Sequence, residues 1–241
     1  MKMLKHNFVV NTPRLYLMTL ILAAVCFSVA LYIMDDKADA RLLGVLSGLA
    51  SGLVIASLQF LTQYLEQKTL AEYKKHGLIE FLTNRKDTEY YRELIGSTKV
   101  GDKIIVAGVT CNRLLDDFAN TQVPQSQNLL EALARGVEVT LLLPKISYLE
   151  EPNLSDFKNK TLQKAEEITN IYPDKFKIYY YDFEPSHSIF LAGSRCLVGP
   201  IFKNKSSKET PAISFDKDGL FIKPYLDYIQ ETLKGASEKY D

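Results

Sequence analysis

Two stretches near the N-terminus carry no charge for long enough to cross a bilayer, and any fold must accommodate them. Residues 42–62 read LLGVLSGLASGLVIASLQFLT and residues 15–34 read LYLMTLILAAVCFSVALYIM. Each is about twenty residues, the length a helix needs to span a hydrocarbon core. The earlier run is too long for a signal-peptide core, and no convincing cleavage site follows it. Both are therefore expected to be membrane helices joined by a tight acidic loop, DDKADAR at 35–41. Lys2, Lys5 and Arg14 precede the first helix, and Lys68, Lys74 and Lys75 follow the second. The positive-inside rule then puts both termini in the cytoplasm.

The second helix carries a row of small residues. Gly44, Gly48, Gly52 and Ala56 fall four apart, with Ser47 and Ser51 on the adjacent ridge. Four-residue spacing places them on one helix face, where another backbone can approach closely. The row predicts helix packing, either against the chain's own first helix or against another copy in a homo-oligomer.

Charge bounds the rest. The first 62 residues hold five basic and three acidic side chains, leaving 24 basic against 26 acidic beyond them. A domain with that balance is expected to have no general nucleic-acid binding, so any anion site must be local. Cys26, Cys111 and Cys196 show no metal or disulfide spacing, consistent with a reducing cytosol. Three histidines, His6, His76 and His187, do not make a metal cluster. No cofactor or metal is implied.

Three regions follow: 1–62 with two transmembrane helices, a helical stalk at 63–84, and a cytosolic domain at 85–241. No Gly or Pro lies between Leu53 and His76. The second helix is therefore expected to run on into the stalk, with Gly77 as the first break. From Asp87 the pattern alternates. Helices are predicted at 87–99, 114–119, 128–135 (closed by Gly136), 154–170 and 219–233. Strands are predicted at 103–109, 137–143, 176–181 and 212–215. Residues 188–192 and 195–198 flank a Gly193-Ser194 turn, a hairpin signal. Apolar, β-branched strands alternating with helices predict an α/β fold, a parallel sheet with helices on both faces.

Ligands in such sheets sit beyond the carboxyl ends of the strands. The first parallel strand ends at VTCNR, where Thr110 or Asn112 is expected to cap the next helix beside Arg113. His187 opens the hairpin in PSHSIFLAGSRCLVGP. After it comes KNKSSK, where Lys203, Asn204, Lys205, Ser206 and Lys208 offer charges and donors for phosphate.

A helix ending in GLIEFLTNR, the strand KIIVAGVT, the run LLEALARGVEVTLLLP and a histidine opening a hairpin that ends in Val-Gly together resemble the phospholipase D superfamily, over residues 77–236. The resemblance implies a PLD-like domain and a motif of His, one residue, Lys, four residues and Asp, then Gly-Ser and an Asn. In that family the histidine is a nucleophile, and Lys and Asn bind phosphate. Here His187 matches, the Lys position is Ile189, the Asp position is Ser194, Gly199 is followed by Pro200, and the Asn position falls on Phe202. A phosphoryl-transfer site must neutralise charge developing on phosphate oxygens, which Ile189 cannot do. The resemblance therefore implies a degenerate, non-catalytic relative with a binding pocket.

The expected protein is a membrane-anchored sensor or effector. Its cytosolic domain would bind a phosphate-bearing ligand, such as a nucleotide second messenger, and alter the packing of the membrane helices. The layout is similar to bacterial anti-phage defence effectors that disrupt the inner membrane. Two alternatives stay open: a dimeric membrane-bound phosphodiesterase using His187, with Asp182 or Glu184 orienting it, and a scaffold that binds only protein.

Overall fold

Apolar periodicity divides the chain before any ligand is considered. A computed structural model describes residues 12–33, 40–203 and 205–240. It separates into two units with the division between Glu72 and Tyr73.

The first unit is a pair of helices, α1 (Thr12–Ile33) and α2 (Ala40–Lys75). Both are long and apolar enough to cross a membrane. Their less exposed residues repeat at spacings of three and four: Leu17, Leu20, Ala24, Phe27 and Leu31 on α1, and Leu43, Leu46, Ala50, Leu53, Ser57 and Phe60 on α2. That is the seam spacing of paired helices. Ala24 and Ala50 are the buried positions, and the rings of Tyr16 and Phe60 stand 5.1 Å apart. Hydroxyls along both helices are satisfied internally: Ser28, Ser51 and Ser57 each donate to the carbonyl one turn back, at 2.7–2.9 Å. Large apolar side chains such as Met18, Leu22, Ile55 and Leu58 point outward. Lys2, Lys5 and most of the acidic connection at 35–41 lie outside the described residues.

The break falls where Gly77 predicts it. Gly77 takes φ +81° and donates its N–H to the Lys74 carbonyl at 2.9 Å. Only glycine reaches that conformation cheaply. The stalk departs from expectation beyond this point. Residues 78–82 are a strand, β1 (Leu78–Leu82), not the last turns of a helix. The five residues alternate in exposure and pair antiparallel with a strand from the far end of the chain. Tertiary pairing overrides a local pattern that reads equally well as a helical stripe.

Next come α3 (Thr88–Gly96), β2 (Lys103–Ala107), α4 (Asn112–Phe118), α5 (Asn128–Arg135) and β3 (Glu138–Pro144). Asp87 caps α3, its carboxylate accepting from the Tyr90 N–H at 3.2 Å, and Gly136 closes α5 at φ +100°. Then α6 (Asn153–Asp156) runs through a π turn into α7 (Leu162–Ile171), followed by β4 (Phe176–Tyr181). The chain ends with β5 (His187–Ala192), β6 (Arg195–Pro200), β7 (Ala212–Asp216) and α8 (Lys223–Gly235).

The seven strands form one sheet in the order β1-β7-β6-β5-β2-β3-β4. It is mixed, which corrects the expectation of a parallel sheet. β2, β3 and β4 are parallel, because helical crossovers separate them. The remaining pairs are antiparallel, and β5 and β6 are joined by a tight turn. Period-two alternation sends successive residues to opposite faces. Ile104, Val106, Val139 and Leu141 join α3, α4, α5 and α7 in one core. Ala107, Leu142, Ile189, Cys196 and Phe215 join Ile222 and Ile229 of the α8 region in the other. Helices thus cover both faces.

Candidate functional site

The strand directions collect the polar candidates at one end of the sheet. The C-terminal ends of β1, β2, β3, β4 and β6 and the N-terminal ends of β5 and β7 all lie there. Arg85, Thr110–Arg113, Lys203 and Lys205–Thr210 follow or precede those ends, and His187 begins β5 there. They divide between the two faces.

On the α8 face, His187 is exposed. Its Nδ1 is hydrogen-bonded to the Ser186 hydroxyl at 2.8 Å, and its ring meets Tyr225 edge-on at 5.7 Å. The carboxylates expected to orient it are occupied elsewhere. Asp182 faces Lys145 at 3.5 Å and Glu184 faces Lys203 at 3.1 Å. The described partner of the ring nitrogen is thus a hydroxyl and not a carboxylate. Gly199 has a packing reason of its own: a Cβ there would stand 2.5 Å from the Pro211 carbonyl oxygen.

The lysine loop is largely committed within the protein. Lys203 lies 3.1 Å from Glu184 and 3.7 Å from Glu150, and these carboxylates raise its pKa. Lys205 sits over the Phe202 ring at 5.8 Å. The Ser206 hydroxyl accepts from the Lys208 N–H at 3.4 Å. Asn204 lies outside the described residues. The expectation that this loop presents its charges to a phosphate therefore changes at Lys203, whose charge two carboxylates already balance.

On the other face, the cap of α4 is neither Thr110 nor Asn112. Cys111 holds that position at φ +53° with no side-chain cap, and Asn112 is the first helical residue. The Thr110 hydroxyl accepts from the Asn112 N–H at 3.4 Å, and the Thr110 carbonyl accepts from Thr161 at 3.0 Å. Arg113 donates through Nε to Asp117 at 3.0 Å and stacks over Tyr91 at 5.7 Å.

Arg85, which sequence reasoning missed, lies within electrostatic reach of it. Its N–H donates to the Lys208 carbonyl at 2.9 Å, tying the turn after β1 to the lysine loop. Its guanidinium donates to Thr210, and only 6% of the residue is exposed. Arg85 Nε, Arg113 Nη2 and Asn112 Oδ1 are buried without a partner among the described residues. Burial and the neighbouring Arg113 charge lower the Arg85 pKa, partly offset by Tyr91. The signal that could have flagged Arg85 is its place in TNRKD, just past an apolar run. That run does not read as a strand until its distant partner is known.

A cavity of about 500 Å3 lies in the helical hairpin. Leu17, Ile21, Val25, Leu58 and Leu61 line it, and an apolar groove of that kind has little with which to recognise phosphate. Among the described residues no group of three His, Cys, Asp or Glu could hold a metal ion.

No family model matches the chain, and no curated protein matches it. Among solved structures, an archaeal chromatin protein, TrmBL2, described as binding DNA in a novel mode, is similar at 12% identity and a TM-score of 0.42. The match covers 80% of this chain and 70% of that one. The expectation of no general nucleic-acid binding rested on net charge alone and, with a DNA-binding protein among the similar structures, is withdrawn. At that TM-score the likeness carries no argument about what this chain binds.

Proposed function

We propose that the chain is a membrane-anchored sensor or effector whose sheet domain binds a phosphate-bearing ligand. In this reading α1 and α2 cross a bacterial inner membrane, both termini are cytoplasmic, and the sheet unit is a degenerate PLD-like domain. Ligand binding alters the packing of the membrane helices in a homo-oligomer, and membrane disruption in anti-phage defence is the corresponding output. A nucleotide second messenger is the ligand class that fits this scheme.

The observation that carries the proposal is where the hairpin places its apolar groups. Leu22, Met18, Val45 and Leu58 are all about half exposed or more, whereas a core helix of a soluble protein would bury them. A shell of that kind demands an apolar surrounding. Gly44, Gly48 and Gly52 also support it. A Cβ on any of them would meet no atom within 4 Å, so their face is not filled by α1 of the same chain. A second copy is the occupant that this row suits. Continuity of α2 to Lys75 offers a mechanical route between ligand and membrane.

The test is Gly48→Leu in the full chain. The expected result is loss of membrane permeabilisation, measured by dye entry in expressing cells, with nucleotide binding by the purified protein unchanged. A variant that permeabilises as the wild type does would remove the glycine row from the mechanism.

A further inference from the structure

We infer that Arg85 and Arg113 form a two-guanidinium site for a phosphoryl group, on the sheet face covered by α3 and α4. This rests on the reading of the sheet unit as a phosphate-ligand domain, and it moves the site away from His187.

A buried guanidinium is always charged and needs either a carboxylate or several carbonyls around it. Arg85 has neither. Its described side-chain partner is the Thr210 hydroxyl, itself buried and donating to the Ser207 carbonyl at 3.0 Å. The Tyr91 ring lies under Arg113 and within electrostatic reach of Arg85, and burial raises its pKa, so it stays neutral and supplies no counter-charge. Asp117 is the one carboxylate paired to Arg113, through Nε alone. Two positive heads therefore share one negative charge, and each keeps a buried N–H that points at nothing. An unmade hydrogen bond to a charged donor is costly, and a native fold retains two together when something supplies the acceptor.

The missing group has a definable chemistry. It is anionic, it has at least two acceptor oxygens, and it suits the planar fork of arginine, which is what a phosphoryl group offers. Asn112, next to Arg113, adds a buried carbonyl oxygen in need of a donor, which a ligand N–H or hydroxyl would satisfy. Arg113 keeps 21% of its side chain exposed and marks the entrance, while Arg85 forms the closed end. The Lys208 carbonyl and Thr210 hold Arg85 from the side of the lysine loop. That loop thus serves the site through its backbone and not through its lysine charges.

The experiment is equilibrium binding by the full chain in detergent, at matched ionic strength. The probes are inorganic phosphate, AMP and glycerol 3-phosphate. The wild type is expected to bind at least one saturably, and Arg85→Met and Arg113→Gln each to weaken it by about tenfold or more. Preference for AMP identifies a nucleotide source, preference for glycerol 3-phosphate a lipid headgroup, and equal binding a free phosphoryl group. No saturable binding of any probe would overturn the site, as would wild-type affinity in both variants. Arg113→Gln, at a partly exposed position, decides the matter if Arg85→Met does not fold. Dye entry with Gly48→Leu reads the membrane proposal separately, so either can fail while the other stands.

Discussion

The two units of this chain place the same side chains in opposite ways. In the hairpin, leucine, valine and methionine face outward along both helices. In the sheet unit, Leu141, Leu133 and Ile168 are sealed between strands and helices, and the misplaced group is a charge, Arg85. Each unit departs from ordinary globular patterning in one respect. Apolar groups outside call for an apolar surrounding, and a guanidinium inside calls for an anion. The comparison teaches that an irregularity is informative in proportion to what it would cost if nothing compensated it.

The contrast can be broken first with pH. Cys196 is fully buried, and burial pushes its thiol up to about 12 from an ordinary 9.0. Tyr180 is likewise pushed up to about 12 by burial, with Tyr240 and Glu166 adding to the shift. Between these limits the unfolded chain has released protons that the folded chain still holds. The unfolded state binds fewer protons there, so stability falls as pH rises from about 9 toward 12. Circular dichroism is expected to show the sheet unit unfolding across that window while the helical signal of the hairpin persists. A flat profile to pH 12 would mean these groups are more open than their burial suggests.

A matched pair of truncations sharpens the same comparison. Leu141→Ala opens a void in the core and is expected to cost roughly 2–5 kcal/mol by chemical denaturation. Leu58→Ala, 60% exposed in the hairpin, is expected to leave the midpoint of the sheet unit unchanged. Equal effects would erase the distinction.

Next in size is Gly219→Ala. The new Cβ would stand 2.5 Å from the Gly77 Cα and 2.7 Å from the His76 carbonyl oxygen. Backbone cannot yield as a side chain does, and a loss of about 1–3 kcal/mol is expected, read as a lower thermal midpoint. The smallest effect is expected at Lys203→Ala. Its ion pairs are fully exposed and screened, so the midpoint is expected not to move at any salt concentration.

Much of the architecture was legible in local sequence. Asp87 announced the start of α3, Gly136 the end of α5, and Gly193-Ser194 the β5–β6 turn, because caps and turns depend on a few neighbouring residues. Phe176–Tyr181 is both the predicted and the observed strand. β1 was missed, since a short apolar run becomes a strand only when β7, more than a hundred residues away, is there to pair with it. The candidate site was legible only in part. Arg113 and the lysine loop were singled out from sequence, but His187 faces α8 while Arg113 packs over Tyr91 of α3; strand period two sets the face of His187, and the packing of α4 beside α3 sets that of Arg113.

The sequence by itself determined the two uncharged runs, the small-residue row and the alternation of strand and helix. Spanning length, helix face and strand period are set by residues that are close in the chain. Only the tertiary structure decided that the sheet is mixed, that the glycine row faces away from α1, and that Lys203 is balanced by Glu150 and Glu184. It alone put Arg113 over Tyr91 and buried Arg85 within electrostatic reach of both. The physical reason is that burial and charge pairing are properties of neighbours in space. The turn after β1 and the first turn of α4 become neighbours only once the sheet has formed between them.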